Sequence, residues 1–404
     1  MISLDQAHQE ISKLQPLKAI VISLDNALGR VCAEDVYALA SCPSVDSSLK
    51  DGFAVIAGDI DDASDVFPVS LKVVGALVAG DDCGSLLVQK GLAVRIMTGA
   101  PVPGGATSIV ASEYTEVNGH QVIVRADARF GRNILREGSD IRCGQLVVSK
   151  GTVMRPAHLG LLASAGLGSL LCIPPVTVAI AATGSELVWP GEDISQGKVA
   201  ASNMVTAKAE LKRLGIIAAT HIMRDDLGDL KEQIGNVIKE VDLLITCGGV
   251  LDGDKDLTMK AMEHLGMDKL FHRVRIGPGK GACLGRVGET VVCNLPGGPP
   301  SNHVALMLLA LPVCRRLMGY SNCYPMQRKV KVKQDLVGQL GWTQLFYSRV
   351  EWEEDSLVAT PLNDLGRLEA MGASNGLVML PEDCREIKSG EHAIAWIFTL
   401  DDVI

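Results

Sequence analysis

Residues 176–186 read VTVAIAATGSE, a nearly continuous apolar run that ends in a glycine and an acid. Such a run is typical of a parallel strand covered on both faces. Three similar runs follow along the chain, IIAATHIM (216–223), DLLITCGG (242–249) and TVVCNLPGG (290–298). Segments with helical periodicity separate them. This alternation predicts a doubly wound α/β domain in the middle of the chain.

The helices of this domain are predicted from periodicity and end signals. The segment 202–215 reads as a helix with Ser202 or Asn203 as its cap and Gly215 as its stop. A second helix brings apolar residues to one face, namely Leu227, Leu230, Ile234, Val237, Ile238 and Val241. Segments 257–266 and 301–319 complete the set.

The flanking segments have a different pattern. Residues 3–15 predict an amphipathic helix and residues 156–166 another helix. Residues 66–127 contain β-rich runs divided by Gly, Pro and Asp, and strand patterns return after about residue 320. The sequence therefore predicts β-rich regions on both sides of the α/β domain.

Composition restricts the class of protein. The chain has 404 residues, 47% hydrophobic and 21% charged, as in a folded protein with a core. A net charge of −9 without a basic stripe and an aromatic content of 4% argue against a nucleic-acid partner. The 11 cysteines without a C-x-x-C pair suggest reduced thiols in a cytoplasmic protein.

Two further features concern targeting and membranes. The N-terminus lacks a basic patch followed by an apolar run, so no signal peptide is expected. Residues 156–185 carry no full charge and could span a bilayer by length. Gly166, Gly168, Pro174 and Pro175 interrupt them, which favours a buried helix, a turn and a buried strand. We therefore expect no membrane association.

The candidate chemistry lies where the predicted strands end, because ligands bind at the carboxyl ends of a parallel sheet. Glycines there would let backbone amides approach an oxyanion: Gly184, Gly248, Gly249, Gly297 and Gly298. The helix start near Pro299 adds a positive dipole end. Hard oxygen ligands suited to Mg²⁺ accompany them: Glu186, Asp225, Asp254 and Asp256.

This combination suits a nucleotide or pyrophosphate with magnesium. The chain has neither a P-loop nor a G-x-G-x-x-G motif, which disfavours P-loop hydrolysis and ordinary NAD chemistry. Any one of these loops could be an ordinary turn with solvated acids. Four of them at one sheet edge favour a functional site.

Several motifs resemble those of the molybdopterin molybdenumtransferase (molybdenum insertase) family. Within the α/β domain these are TGSEL (183–187), GGVLDGDKD (248–256), NLPGGP (294–299) and the Ser-Asn pair at 202–203. Outside it they are PSVDSSLKDGFAV (43–55), RIMTGAPVPGGA (95–106), NILREGSDI (133–141) and ASNGLVMLPED (373–383). Because they occur in order along nearly the whole chain, the chain is identified as a divergent member.

The resemblance implies a multidomain α/β plus β protein. Its parts would be an elongated N-terminal domain (1–41 and 138–170), an all-β inserted domain (42–137), a doubly wound α/β molybdopterin-binding domain (171–320) and a small C-terminal β-barrel (321–404). It also implies a homodimer in which one subunit completes the crevice of the other. Molybdopterin adenylyltransferase and recipient molybdoenzymes are possible partners.

The implied reaction is the Mg²⁺-dependent insertion of molybdate into adenylylated molybdopterin, with release of AMP. By this resemblance the catalytic positions are Asp51, Glu186, Asp225 and Asp256, and the metal positions are Glu186, Asp254 and Asp256. The substrate-binding positions are Thr98, Asp140, Gly184, Asn203, Gly248, Gly249, Lys280, Pro296, Gly297, Pro299 and Arg349. Structural roles compete with some of these: Thr98 could satisfy a turn, Asp140 could cap a backbone, and the two prolines could shape the glycine loop.

This sequence also departs from the family's pattern. Ser47, Leu49 and Lys50 change the first motif, and Leu251, Asp252 and Lys255 change the third loop. Gly277 stands where a lysine is usual, and LNDLGRLEA (362–370) replaces a serine–glycine stretch. Since a molybdate dianion needs donors or positive charge, the alternatives are a non-catalytic molybdopterin carrier or an insertase for another oxyanion such as tungstate. A related adenylyltransferase is a further alternative, which the additional β domains disfavour.

Overall fold

The computed structural model describes residues 1–249 and 257–398. In these ranges the α-helices are α1 Leu4–Ser12, α2 Pro156–Ser164, α3 Ser202–Arg213, α4 Leu227–Val237, α5 Leu257–His264, α6 Pro299–Ala305, α7 Leu311–Leu317 and α8 Arg367–Ala373. A π-helical segment, Leu306–Ala310, joins α6 to α7. No helix in this part of the chain is long and apolar enough to cross a membrane.

The chain forms two compact units. The larger unit comprises Met1–Ile20 and Ile173–Ile404, and the smaller unit comprises Val21–Cys172. Strands of the smaller unit and its edges are β1 Ile20–Ser23, β2 Val31–Cys32, β3 Val36–Tyr37, β4 Ser47–Ser48, β5 Gly52–Val55, β6 Val69–Leu77, β7 Leu92–Ile96, β8 Ser108–Ala111, β9 Thr115–Asn118, β10 Gln121–Val124, β11 Ile134–Leu135, β12 Leu146–Val148 and β13 Ser169–Ile173.

A six-stranded sheet dominates the smaller unit. Its strand order is β8-β5-β7-β6-β10-β9, and all neighbours are antiparallel except the parallel pair β6 and β7. Side chains alternate between two apolar cores, so that Phe53 and Val55 enter one and Ala54 the other. This alternation follows from the two-residue period of a strand, and it places both faces of β5 away from water.

Strands of the larger unit are β14 Val178–Thr183, β15 Leu187–Val188, β16 Val199–Ala200, β17 Ala219–Met223, β18 Leu243–Cys247, β19 Asp268–His272, β20 Ile276–Gly277, β21 Cys283–Val287, β22 Thr290–Leu295, β23 Met326–Val332, β24 Leu336–Val337, β25 Thr343–Glu353, β26 Ser356–Pro361, β27 Gly376–Leu380, β28 Glu386–Ile387 and β29 His392–Ile397. They form a central sheet, a C-terminal sheet and smaller pairings.

The central sheet has the order β17-β14-β18-β22-β21-β19. The first four strands are parallel, and β21 and β19 continue the sheet antiparallel. Alternate residues of β14 enter two different cores, one shared with α3 and α6 and the other with α4 and α5. Helices therefore cover both faces, which confirms the doubly wound α/β prediction.

The C-terminal sheet closes on itself. Its order is β20-β25-β26-β23-β29-β27, and an additional pairing of β25 with β27 completes a small barrel. Val330, Val350 and Val378 fill its interior. The predicted combination of α/β and β layers with a small β-barrel is thus confirmed, whereas the boundaries of the four domains stay a prediction.

Three local expectations differ from the structure. Helix α3 begins at Ser202 after an Ala201 cap position without a side-chain bond, so neither Ser202 nor Asn203 caps it. The Asn203 side chain instead donates to the carbonyl of Gly297. Helix α4 ends at Val237, so Val241 packs on the same core from beyond the helix. Part of the altered 362–370 stretch forms α8, a helix that its sequence did not predict.

Candidate functional site

The carboxyl ends of the four parallel strands lie together at one edge of the central sheet, and we call this edge the crevice. Glycine backbones come together there. A Cβ atom on Gly248 would lie 2.9 Å from the carbonyl oxygen of Thr183, and a Cβ on Gly297 would lie 3.6 Å from the Cα of Gly248. The backbone of Gly248 has a φ of +113°. Only glycine fits this close approach without strain.

Hydrogen bonds fix these loops against one another. The Gly184 amide donates to the carbonyl of Met223 at 3.1 Å, and the Gly248 amide donates to the carbonyl of Leu295 at 3.0 Å. Asn203 Nδ2 donates to the carbonyl of Gly297 at 2.8 Å. The predicted positions Gly184, Asn203, Gly248 and Gly297 therefore lie together, and Gly249 continues the same loop with a φ of +64°.

Two of the predicted acids lie on neighbouring loops of the crevice. The carboxylate of Glu186 folds back over Gly184, where a Cβ would lie 2.7 Å from Oε1 and 2.8 Å from Oε2. The Asp225 amide donates to Ser185 Oγ at 3.2 Å, which links the two loops. Asp226, the next residue, caps α4 by accepting from the Asp229 amide at 3.0 Å. Asp225 rather than Asp226 is thus left for a ligand.

Asp254 and Asp256 lie outside the described residues, so their part in the site stays a prediction. In the part of the chain that the structure describes, no three His, Cys, Asp or Glu side chains form a metal-binding group. Magnesium is commonly held by one or two carboxylates together with phosphate oxygens of the substrate. Glu186 and Asp225, two exposed carboxylates on linked loops, fit that mode.

The proline loop after β22 has a structural role in the crevice. Asn302 Nδ2 donates to the carbonyl of Pro296 at 2.9 Å and holds the loop from within α6. Helix α6 begins at Pro299 itself, with Gly298 at its cap. Because Pro299 and Pro300 have no N–H group, the first turn offers fewer anion donors than a helix start usually provides. These contacts give Pro296 and Pro299 a structural place in the loop, and their part in substrate binding stays a prediction.

A buried pair fixes the same helix from the barrel side. Tyr347 Oη donates to the carbonyl of Pro300 at 3.0 Å and lies 3.0 Å from His303 Nδ1. Since the tyrosine proton is used toward Pro300, His303 Nδ1 carries the proton of the second bond. Burial lowers the pKa of His303 to about 4 and raises the pKa of Tyr347. Both side chains are therefore neutral, and their hydrogen bonds hold the start of α6 against β25.

A groove of about 890 Å³ extends from residues 298–301 of this loop to helix α8. Leu345, Phe346 and Tyr347 of β25 line it, together with Pro278 and Arg367. Lys280 lies two residues after the lining residue Pro278. Its Nζ is 5.2 Å from the ring centroid of Trp342, which is a cation–π contact. Arg349 is exposed on β25 opposite Thr360 and is not among the groove's lining residues in the described ranges.

Two cationic side chains near the site were missed from the sequence. Lys198 Nζ donates to the carbonyl of Ser185 at 3.0 Å, beside the Glu186 loop. Arg367 lines the groove from the start of α8. In the sequence, Lys198 is marked only by its position in a polar loop, and Arg367 only by its position in the altered 362–370 stretch. Both contacts form between segments that are distant in the chain, so local sequence patterns did not indicate them.

The smaller unit contains a separate group of predicted residues. The amide and the Oγ1 of Thr98 both donate to Asp51 Oδ1 at 2.8 Å. These two bonds, with a contribution from Arg95, lower the pKa of Asp51. Gly52 next to it is required because a Cβ would lie 1.9 Å from the carbonyl oxygen of Val110. Thr98 thus holds a charged Asp51 in place.

Asp140 is exposed in the same unit, and its amide donates to the carbonyl of Cys42 at 3.1 Å. The capping role considered for Asp140 belongs instead to Asp46, which accepts from the Glu137 amide at 2.8 Å and from Arg136 Nη1 at 2.5 Å. These bonds lower the pKa of Asp46. Among the described residues the Asp140 carboxylate has no hydrogen bond, so it is available to a ligand.

The sheet and its flanking helices define a doubly wound α/β domain within a larger β-containing protein. Comparison with known families agrees with this class. The MoeA N-terminal region (domain I and II) matches residues 2–166, and the probable molybdopterin binding domain matches residues 179–316.

Full-length relatives define the family. The chain is 32% identical to molybdopterin molybdenumtransferase 2 of Mycobacterium tuberculosis over 402 residues, covering 98% of this chain and 99% of that protein. It is 30% identical to the molybdopterin molybdenumtransferase of Staphylococcus epidermidis, covering 96% and 94%. The crystal structure of a molybdopterin biosynthesis moeA protein from Pyrococcus horikosii superimposes with a TM-score of 0.85 at 28% identity, covering 99% of both chains.

The chain therefore belongs to the molybdopterin molybdenumtransferase family, whose members are transferases of molybdenum cofactor biosynthesis. The resemblance in the sequence motifs and the prediction of an enzyme are both confirmed.

Proposed function

We propose that this enzyme inserts molybdate into adenylylated molybdopterin with Mg²⁺ and releases AMP. The observation that supports this most is the convergence of Gly184, Gly248 and Gly297 beside Glu186 and Asp225 at the end of a parallel sheet. The amides of Gly184 and Gly248 already donate to Met223 and Leu295. These glycines would therefore serve by letting phosphate oxygens approach the backbone closely, and the carboxylates suit the cation that accompanies the phosphate.

The residues of the crevice would have separate roles in binding the phosphate groups and the cation. The glycine loops would bind the phosphate groups, and the Asn203 bond to Gly297 would keep the third loop in position. Glu186 and Asp225 would hold the cation, with Asp254 and Asp256 as further predicted carboxylates. When bound, Mg²⁺ would offset the negative charge that develops on the phosphate during cleavage. Lys198 would add positive charge at the same loop.

The proposal includes the homodimer implied by the sequence resemblance. Asp51, held by Thr98, and Asp140 would then serve the crevice of the partner subunit. Lys280 and Arg349 stay candidate substrate contacts of the larger unit, and Arg367 adds a guanidinium to the groove that begins at the proline loop.

Turnover tests the role of the crevice. The purified protein would be incubated with adenylylated molybdopterin, Mg²⁺ and molybdate, and AMP release would be followed in the wild type and in Glu186→Gln. Loss of one charged ligand of the cation that offsets the phosphate charge should slow release by about 100-fold. Glu240→Gln, an exposed change in the same sheet domain, is the matched control and should release AMP at the wild-type rate.

Equal rates in Glu186→Gln and Glu240→Gln would contradict the assignment of Glu186. Tight binding of the substrate by the wild type without any AMP release would favour the carrier alternative instead.

A further inference from the structure

The larger unit contains a second cavity, of about 800 Å³, whose lining residues include none of the crevice residues. Its size is in the range of small-molecule sites. Apolar side chains from three elements contribute to its wall: Met307 of the π-helical segment, Leu311 of α7 and Ile397 of β29. These three are almost fully buried and form the base of the cavity, whereas the partly exposed Leu214, Met326 and Phe398 add accessible apolar surface to its lining. The cavity can therefore remove an apolar ligand body from water.

Positive charge is concentrated around this apolar wall. Arg213, Arg315 and Arg328 line the cavity, whereas Glu210 is the one carboxylate among its described lining residues. Glu210 Oε1 lies 3.3 Å from Arg213 Nη1, so that carboxylate is already paired. The lining therefore carries net positive charge, which favours an anionic ligand.

Arg315 and Arg328 keep most of their donors, whereas Arg213 also donates from Nη2 to the carbonyl of Phe398 at 3.4 Å. Arg315 is half-buried, and its hydrogen bond within the described residues is a long one, from Nη1 to the carbonyl of Tyr324 at 3.5 Å. Arg328 Nη1 donates to the carbonyl of Gln327 at 3.0 Å. A guanidinium has five N–H groups in a planar fork that suits carboxylate and phosphate oxygens.

We propose that this cavity is a second ligand site, which binds an organic anion with an apolar body and one oxyanion headgroup. The headgroup pairs with Arg315 and is flanked by Arg213 and Arg328. The apolar body lies against Met307, Leu311 and Ile397. The site is independent of the proposed transferase reaction, because its residues are separate from the crevice.

The test uses the full-length protein and the fluorescent anion 8-anilinonaphthalene-1-sulfonate as the probe. We expect saturable binding to one site, displaced by decanoate or decyl phosphate but not by uncharged decan-1-ol. AMP, which we assign to the crevice, should not displace the dye. Arg315→Gln should weaken dye binding by at least about tenfold, since it removes a charged hydrogen-bond partner.

Two further variants make the result specific. Arg385→Gln, at an exposed arginine elsewhere in the larger unit, should bind the dye like the wild type. Met326→Trp, at a half-exposed lining position, should reduce binding by filling the cavity. Circular dichroism would verify that each variant is folded.

Equal affinity in Arg315→Gln and Arg385→Gln would overturn the proposal. Displacement by decan-1-ol as effective as that by decanoate would also overturn it, because the site would then select apolar character alone.

Discussion

Replacing Gly248 with alanine tests whether the close approach of the crevice loops is required. The wild-type residue has a φ of +113°, a conformation that side chains with a Cβ rarely adopt. The added Cβ would lie 2.9 Å from the Thr183 carbonyl oxygen and 3.1 Å from Thr183 Oγ1. Because the nearer atom belongs to the backbone of β14, the strand end and the loop must move apart.

The expected cost has two parts. The backbone conformation costs about 1–2 kcal/mol for alanine, and the forced shift of a packed strand end adds about 1–2 kcal/mol. We therefore expect the free energy of unfolding to fall by about 2–4 kcal/mol. The same shift moves Gly184 and Gly297 relative to each other, so AMP should bind about tenfold more weakly.

Gly288→Ala is the matched control. Gly288 lies in the turn between β21 and β22 with a φ of +60°, and nothing lies within 4 Å of an added Cβ. This variant has only the conformational cost, about 1–2 kcal/mol, and should bind AMP normally. Urea denaturation and calorimetric AMP titration would compare the two variants. If Gly248→Ala equals Gly288→Ala in both measurements, the loops do not form the phosphate site.

Three further predictions concern other parts of the molecule. Thr98→Val removes the Oγ1 bond to Asp51, so the pKa of Asp51 should rise toward its ordinary value, and kcat/KM should fall by about tenfold. His303→Phe should remove a pH dependence of the unfolding free energy. Burial lowers the pKa of His303 in the folded protein from 6.5 to about 4, so between pH 6.5 and pH 4 the unfolded chain binds a proton that the folded protein does not. The wild type should therefore lose about 3 kcal/mol of unfolding free energy as the pH falls from 6.5 to 4, with no contribution from this group above 6.5. Asp51→Ala and Glu186→Gln subunits should each be nearly inactive but should regain about a quarter of wild-type activity when co-expressed, as expected for statistical mixing in a homodimer.

Each of these predictions has an outcome that contradicts it. Thr98→Ser keeps the hydroxyl and should retain activity, so a loss as large as in Thr98→Val would mean that the methyl group matters instead. An unchanged slope of stability against pH in His303→Phe would assign the acid sensitivity to other groups. Co-expressed subunits that stay inactive would place Asp51 and Glu186 in the same site of one subunit.

The sequence predicted the parts of the fold that depend on local patterns. Apolar runs located β14, β18 and β22, because a strand covered on both faces must be apolar throughout. Glycines after those strands located the crevice, because close backbone approach excludes a Cβ. These signals are contained within about ten residues of chain.

Other features depend on distant partners and could not be read locally. The antiparallel strand β19 was missed because Asp268–His272 has too little apolar character to be recognised without its neighbour. Asn203 was expected near the start of α3, but its bond to Gly297 required knowledge of a loop 94 residues away. Lys198 and the Arg315 cavity are likewise formed by contacts between separate segments.

The departures from the family's motifs make one question central, namely whether this enzyme transfers molybdenum. The measurement that answers it is AMP release from adenylylated molybdopterin with Mg²⁺, in the presence and absence of molybdate, together with the metal content of the product. We predict that release depends on molybdate and that each AMP released is matched by one molybdenum-loaded cofactor. Two results would contradict the proposed reaction: AMP release at the same rate with and without molybdate, or binding of the substrate without AMP release in the presence of either molybdate or tungstate.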